Sequence, residues 1–356
     1  MRVLQLIDSL RPGGAEKMAV AYANTLQKHG EKSFLCCTRK EGALKEQLSN
    51  EVEYLFLKKK YSFDIRAIYN LQKFIKKHNI DVIHAHSSSY FLAGILRFLG
   101  VKFKLIWHDH YGNSEFLENR KVSIIKLFSI HFDGIISVNA SLKNWALKKL
   151  ISKNVIEINN FITSSPILKN NIPLLKGNTS SFKIICLANF RPQKDHLNLL
   201  KAFEIFAEKI PASLHLIGEI PKNSYTDIVL KYIKGSRFAS EIYCYGVQSE
   251  VKSFLLQANI GVLSSKSEGL PLALLEYGEA NLPVVVTDVG QCRKVLNGLG
   301  SLTPSENFYA LADAFFFSYE NKEESERDSY EFHKHIESNY SENAVINIIK
   351  KFYSQL

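Results

Sequence analysis

Two doubly wound, Rossmann-like α/β domains are what this chain predicts, and three observations carry the prediction. Short apolar runs alternate with amphipathic helical stretches, which implies parallel sheets covered by helices on both faces. The alternation breaks once, over TSSPILKNNIPLLKGNTSS (163–181), a Ser-, Asn-, Pro- and Gly-rich stretch that reads as a linker. The 356 residues exceed one ordinary domain and leave room for two cores.

Each element has a local reason. MRVLQLID reads as the first strand and SLRPGG as a turn; AEKMAVAYANTLQKHG is then a helix that stops on Gly30. KSFLCCT is a second strand. DIRAIYNLQKFIKKHN (helix), IDVIHAH (strand), a helix through Leu99, FKLIWHDH (strand), DGIISVN (strand) and VIEINNF (strand) complete the first half. Beyond the linker, FKIICLAN, SLHLIG, EIYCYG, IGVLSS and LPVVVTD are strands. Helices running through Ile210, near 224–235, to Ala258 and from Leu272 separate them, and a helical region ends the chain. The expected domains are 1–162, the linker 163–181, 182–335, and a helix in 336–356 that packs back on the first domain.

Composition excludes several classes. Hydrophobic residues make up 46% and charged residues 22%, as in soluble globular proteins. The five cysteines form no CxxC pair, which suits neither a zinc ribbon nor a disulfide framework and leads us to expect a reducing, cytoplasmic setting. MRVLQLIDSL is too short an apolar run for a signal peptide and carries Asp8. The best candidate membrane span, residues 90–107, is broken by Arg97, Lys102 and Lys104. Of the formal charge of +10, the excess lies in residues 1–165, with 25 Lys and Arg against 14 Asp and Glu. A basic half suits nucleic acid, an anionic membrane surface or a phosphorylated ligand. No aromatic-basic RNA motif or recognition helix stands out, so nucleic acid is not expected as a partner.

Ligands of doubly wound sheets bind beyond the carboxyl ends of the strands, and the chemically capable residues fall there. Gly13 and Gly14, followed by Glu16, open the first helix, where free amides and the helix dipole favour an anion. His84 and His86 end one strand, and His108 and His110 another, with i and i+2 on one face. These four suit either hydrogen bonding to a sugar or phosphate, or metal ligation. Arg191 and Lys194 follow a strand end and suit a diphosphate, with Asp195 or His196 capping the next helix. In SKSEGLPLALLE (265–276), Glu268 would hang at the end of a strand beside the amides near Gly269 and Leu270. Glu276 lies in the following helix, and each carboxylate suits the vicinal diols of a sugar or a ribose.

These motifs resemble those of the retaining glycosyltransferases of family 4. They are GGAE (13–16), HAH (84–86), HDH (108–110), NNF (159–161), RPQK (191–194), SEGLPLALLE (267–276) and PVVVTDVGQ (283–291), spread over nearly the whole chain. The resemblance implies the GT-B fold, two Rossmann-like doubly wound domains facing a central cleft, the first binding acceptor and the second binding a nucleotide-sugar donor. It implies a catalytic set of His110, Glu268, Lys194 and Arg191, with Glu268 on the donor sugar and the two cations on the diphosphate. Donor-binding positions would be Gly13, Gly14, Asn189, Gly246, Val247, Gly269, Leu270, Pro271 and Glu276, with Glu276 on the ribose. Glu16, His86 and His108 would lie on the acceptor side.

Neither a cofactor nor a metal is expected, and the donor would be a nucleotide-diphosphate sugar, UDP ahead of GDP. The acceptor would be a glycan or a lipid-linked molecule of cell-surface polysaccharide or lipopolysaccharide synthesis, met at the inner leaflet of the cytoplasmic membrane. Two departures from the family pattern stand out. Asn189 occupies the usual arginine position, and Tyr277-Gly278-Glu279 replaces Ala-Met-Ala. Rival readings of the same features are a nucleotide-sugar epimerase of this architecture and a metal-dependent hydrolase using His84, His86, His108 and His110.

Overall fold

In the computed structural model, which describes residues 1–112, 117–163, 174–248 and 250–356, the chain divides into two compact units. One comprises Met1–Thr163 with Glu342–Leu356, the other Ser164–Ser341. The 164–173 part of the expected linker lies outside the described residues.

The first unit is built on seven strands: β1 (Arg2–Ser9), β2 (Lys32–Lys40), β3 (Glu53–Phe56), β4 (Val82–His86), β5 (Lys104–Asp109), β6 (Gly134–Ser137) and β7 (Val155–Glu157). They lie in the order β3-β2-β1-β4-β5-β6-β7, and every pairing is parallel. Strand alternation sends Leu4, Leu6, Ile83, Ala85, Leu105 and Trp107 into one core. Ile7, Leu35 and Cys37 enter a second core on the other face, beneath the helix Gly14–Lys28. β3, EYLF, lies in a stretch for which the sequence predicts no element; the sheet recruits it as an edge strand, and at four residues its alternation is too brief to read. VIEINNF is strand only over its first three residues.

The last helix, Glu342–Ser354, belongs to this unit. Its Glu342 accepts hydrogen bonds from Lys28 and from the Thr25 hydroxyl, and Lys350 pairs with Glu31 at 3.0 Å. Gly134 leaves room for Phe352: a Cβ there would sit 2.6 Å from that ring. The preceding helix, Lys322–Tyr340, instead buries Phe332 and Ile336 against Gly278 of the second unit, so the chain changes units after Ser341 and not at 335.

The second unit has six parallel strands: β8 (Phe182–Leu187), β9 (Ala212–Ile217), β10 (Ile242–Gly246), β11 (Ile260–Leu263), β12 (Val284–Thr287) and β13 (Ser301–Thr303), in the order β10-β9-β8-β11-β12-β13. Only the short edge strand β13 departs from the predicted set. Tyr277 is the keystone of this sheet's other face and explains the unusual Tyr277-Gly278. Its hydroxyl accepts from the Leu187 amide at 2.8 Å and donates to the Val262 carbonyl at 3.1 Å. Gly261 makes the space, since a Cβ there would lie 2.7 Å from the Tyr277 ring, and Gly278 does the same for Ile336 and Phe332.

Tyr277→Phe strands the buried Leu187 amide. Unfolding in urea is expected to show a loss of about 1–3 kcal/mol, whereas Tyr309→Phe, at an exposed position, should leave the midpoint unchanged.

Candidate active site

Strand order reverses direction at one place in each sheet, between β8 and β11 in the second unit and between β1 and β4 in the first. There the connections leave on opposite faces and a crevice opens at the carboxyl ends.

At the β8/β11 switch point the loop after Leu187 passes through Asn189 and Arg191 to a single 3-10 turn, Pro192–Lys194. Asp195 follows with φ at 46°, and its carboxylate caps the helix His196–Ala207. This turn throws Lys194 across to the loop after β11, where its ammonium meets Glu268 Oε1 at 2.5 Å. The same oxygen accepts from the Ser265 hydroxyl at 2.6 Å. Ser264 donates to the Lys194 carbonyl at 3.0 Å, and the Lys266 amide to the Gln193 carbonyl at 2.8 Å, so two loops are laced into one platform. Glu268 is only 6% exposed, so its charge is held by this pair and not by water.

Gly290, at φ 54°, lies where a Cβ would be 2.0 Å from the Glu268 carbonyl, and the Gln291 amide donates to the Gly269 carbonyl at 3.1 Å. The loop at Gly269–Leu270 is thereby pinned from behind. Pro271 stands at the N-cap of the helix Leu272–Glu279, which carries the half-buried Glu276 on its second turn. Arg191 is exposed and makes no ion pair with the described residues. Asn189, at the expected arginine position, accepts from the Glu219 amide at 2.8 Å and ties the β8 and β9 loops together. Gly246 has φ 67° and Val247 is exposed beside it. The Tyr245 hydroxyl is occupied, accepting from the Lys176 amide at 2.8 Å and bonding His215 Nδ1 at 2.9 Å.

In the first unit the strand period brings all four histidines together. His86 and His108 are register partners on β4 and β5, and His84 shares their face. They stand as two hydrogen-bonded pairs. Tyr353 of the last helix meets His84 Nδ1 at 2.6 Å, and His84 Nε2 meets His108 Nδ1 at 3.0 Å. Gln5 Oε1 meets His86 Nε2 at 2.8 Å, and His86 Nδ1 meets His110 Nε2 at 3.0 Å. Burial drives the pKa of each of the four rings down, His110 to about 3. Each is therefore a neutral imidazole with one N–H. The Gln5 oxygen accepts, so His86 donates from Nε2 and accepts at Nδ1. His110 must then donate from Nε2, which leaves its Nδ1 lone pair without a partner among the described residues, on the one histidine of the four that is not fully enclosed.

The ligand atoms of His84, His86 and His108 lie within 4.8 Å of one another, a spacing that fits an ion. Their nitrogens are already in use: His84 Nε2 and His108 Nδ1 bond one another, and both nitrogens of His86 serve the second chain, so an ion would have to displace these bonds. Asp109, the carboxylate nearest in sequence, is held by Arg120 in a bidentate pair at 2.6 and 2.8 Å.

His86 and His108, expected on the acceptor side, are both fully enclosed. Glu16 folds back on the Gly13–Gly14 turn, lying where a Gly13 Cβ would be 2.3 Å from its Oε2, as a carboxylate does in the first turn of a helix. Sequence reasoning missed Gln5, Tyr353, Arg120 and Ser265. Gln5 was findable, because a polar residue inside VLQLI is enclosed with it and requires a partner. Ser265 stands three residues before Glu268 in the motif already quoted, whereas Tyr353 and Arg120 come from other segments and carry no local signal.

Two parallel sheets, each with a crevice at its switch point, define the fold class, and known proteins of that fold say which family it is. The profile described as "Glycosyl transferases group 1" matches residues 171–334, and "Glycosyltransferase Family 4" matches residues 12–164. The chain belongs to this glycosyltransferase family and is a transferase of the GT-B fold. It is 27% identical over 285 residues to the Escherichia coli O-antigen biosynthesis glycosyltransferase WbnH, covering 77% of this chain and 78% of the relative. To the Escherichia coli UDP-Gal:alpha-D-GlcNAc-diphosphoundecaprenol alpha-1,3-galactosyltransferase it is 25% identical, covering 64% of this chain and 62% of the relative. Among solved structures, Anabaena HepE in complex with UDP-glucose superposes with a TM-score of 0.82 at 14% identity, over the full length of both chains.

The buried histidines set a pH dependence. The unfolded chain takes up protons below about pH 6.5 that the native state refuses, so the unfolded state binds more protons and stability falls as pH drops. Each neutral histidine contributes a slope of up to about 1.4 kcal/mol per pH unit. Thermal unfolding between pH 7 and pH 5 should show a steep fall in Tm. In His84→Gln and His86→Gln the same fall should be shallower.

Proposed function

We propose that the protein is a retaining, metal-independent hexosyltransferase that moves a sugar from a UDP-sugar to a lipid-linked diphosphate acceptor in cell-surface polysaccharide synthesis. The observation that carries this reading is the Lys194–Glu268 pair at the switch point of the second sheet. An ammonium and an enclosed carboxylate held in contact, flanked by exposed Arg191 and the Gly269–Pro271 helix start, offer a diphosphate and a sugar diol their opposite partners side by side. Support comes also from the relatives, one named for O-antigen synthesis and one for a UDP-galactose donor and a diphosphoundecaprenol acceptor.

In this mechanism the donor diphosphate takes Lys194, and Glu268, released from it, accepts hydrogen bonds from hydroxyls of the transferred sugar. Negative charge grows on the departing diphosphate as the glycosidic bond breaks. Lys194, Arg191 and the amides near Gly269 and Leu270 stabilise that charge. Glu276 accepts from the ribose hydroxyls. His110 offers its Nδ1 lone pair to a sugar hydroxyl, fixed in that tautomer by His86 and Gln5. The acceptor attacks from the side the diphosphate leaves, a diphosphate oxygen takes its proton, and the anomeric configuration is kept. Trapping a covalent glycosyl-enzyme would overturn this route.

Two outcomes test the reading. Thermal unfolding in EDTA should show stabilisation by UDP, about 2.7 kcal/mol at a hundred times the dissociation constant, and Glu276→Ala should abolish it. Stabilisation by Zn²⁺ alone would favour the hydrolase instead. Lys194→Ala should lower turnover at least a hundredfold, the scale of one lost charge-stabilising donor, with the circular dichroism spectrum unchanged; near-normal turnover sinks the assignment.

A further inference from the structure

We infer that the first unit carries a docking face for the surface of an anionic lipid bilayer, formed by the start of the helix Ile65–His78 together with the helix Ser123–Phe128 and the residues after it. The inference rests on the proposed function only for its purpose, which is to hold the enzyme beside a lipid-linked acceptor.

Large apolar side chains are out of place here in number and in pattern. Ile65 is 81% exposed and Phe63 67%, with Tyr61 and Tyr69 exposed beside them. On Ser123–Phe128, Ile125 and Phe128 already fill the core, yet Ile124 and Leu127 stand about 60% exposed on the opposite side, and Ile130 continues their three-residue stripe. A helix apolar on both sides has two apolar surroundings, and the protein supplies only one. Both segments lie in the one helical layer over this core, each packed against the helix Tyr90–Phe98 between them. Phe63 contacts Phe91 at 5.9 Å between ring centroids, Phe91 contacts Phe128 at 4.9 Å, and Phe128 contacts the exposed Phe98 at 5.5 Å.

Charge selects the partner. Residues 58–77 and 121–130 carry eight exposed lysines and arginines and a single carboxylate, Asp64. That carboxylate is occupied in accepting from the Ala67 and Lys60 amides at the helix start. Along the exposed side of Ile65–His78 the order is apolar and then basic: Ile65, Tyr69, Lys73, and then Lys76 and Lys77. Such a face sets apolar groups at the acyl boundary and lysines among anionic head groups. A second copy of this chain would oppose like charges, and the aliphatic Ile124, Leu127 and Ile130 have nothing to stack on or pair with in nucleic acid.

The test is cosedimentation of the full chain with vesicles of phosphatidylcholine, with and without phosphatidylglycerol, alongside transfer to a water-soluble acceptor analogue. Binding should require phosphatidylglycerol and weaken as salt is raised. It should drop at least about tenfold in Lys73→Glu/Lys76→Glu/Lys77→Glu and in Ile124→Gln/Leu127→Gln/Ile130→Gln, both altered only at exposed positions and checked for unchanged Tm. Equal binding to neutral vesicles, wild-type binding by both variants, or a dimer in light scattering that the second variant abolishes would each overturn the docking face. Transfer to the soluble analogue reports separately: its retention in variants that lose vesicles leaves the transferase reading standing. Its absence in the wild type, with vesicle binding intact, strikes that reading alone.

Discussion

A parallel strand covered by helices on both faces has almost no place for polar chemistry except beyond its carboxyl end. Both sheets of this protein obey that constraint. Val284–Thr287 and Gly134–Ser137 are buried at every position, and Lys194, Glu268 and His110, proposed for transfer, all lie in the loops that follow strand ends, with Glu276 in the helix after one of them. The switch in strand order then decides which strand ends open into a crevice. Lys194 and Glu268 are far apart in sequence, but their strands, β8 and β11, are neighbours at the reversal, and this alone brings the two charges to 2.5 Å.

The histidine chains are the instructive breach of the rule. His84, His86 and His108 lie inside the sheet, fully buried, and the protein meets the cost by keeping them neutral and bonding them to one another, to Gln5 and to Tyr353. His108 Nε2 has no partner among the described residues, a loss of about 1–3 kcal/mol that packing must offset. What this arrangement delivers is direction: the Gln5 oxygen, which can only accept, fixes the proton positions of the His86–His110 chain, and that chain ends on the least buried of the four histidines.

Packing also accounts for the two places where the chain leaves its family's pattern. Tyr277 fits because Gly261 faces it, and Gly278 because Phe332 and Ile336 lie over it. Asn189 replaces an expected cation but anchors the loop that carries the next one, Arg191.

The strand order of residue types by itself determined the two α/β units, most element boundaries and the residues to watch, because a period of two or of 3.6 and a Gly, Pro or Asp at a turn are local properties. It did not reveal β3 or β13, whose three or four residues become strands only when a sheet edge is there to receive them. Nor did it separate the accessible His110 from the enclosed His86 and His108, two residues or one strand away. Tertiary structure decided that, and it decided the partners of Glu268 and the tautomer of His110, since each depends on distance between segments that no local pattern encodes.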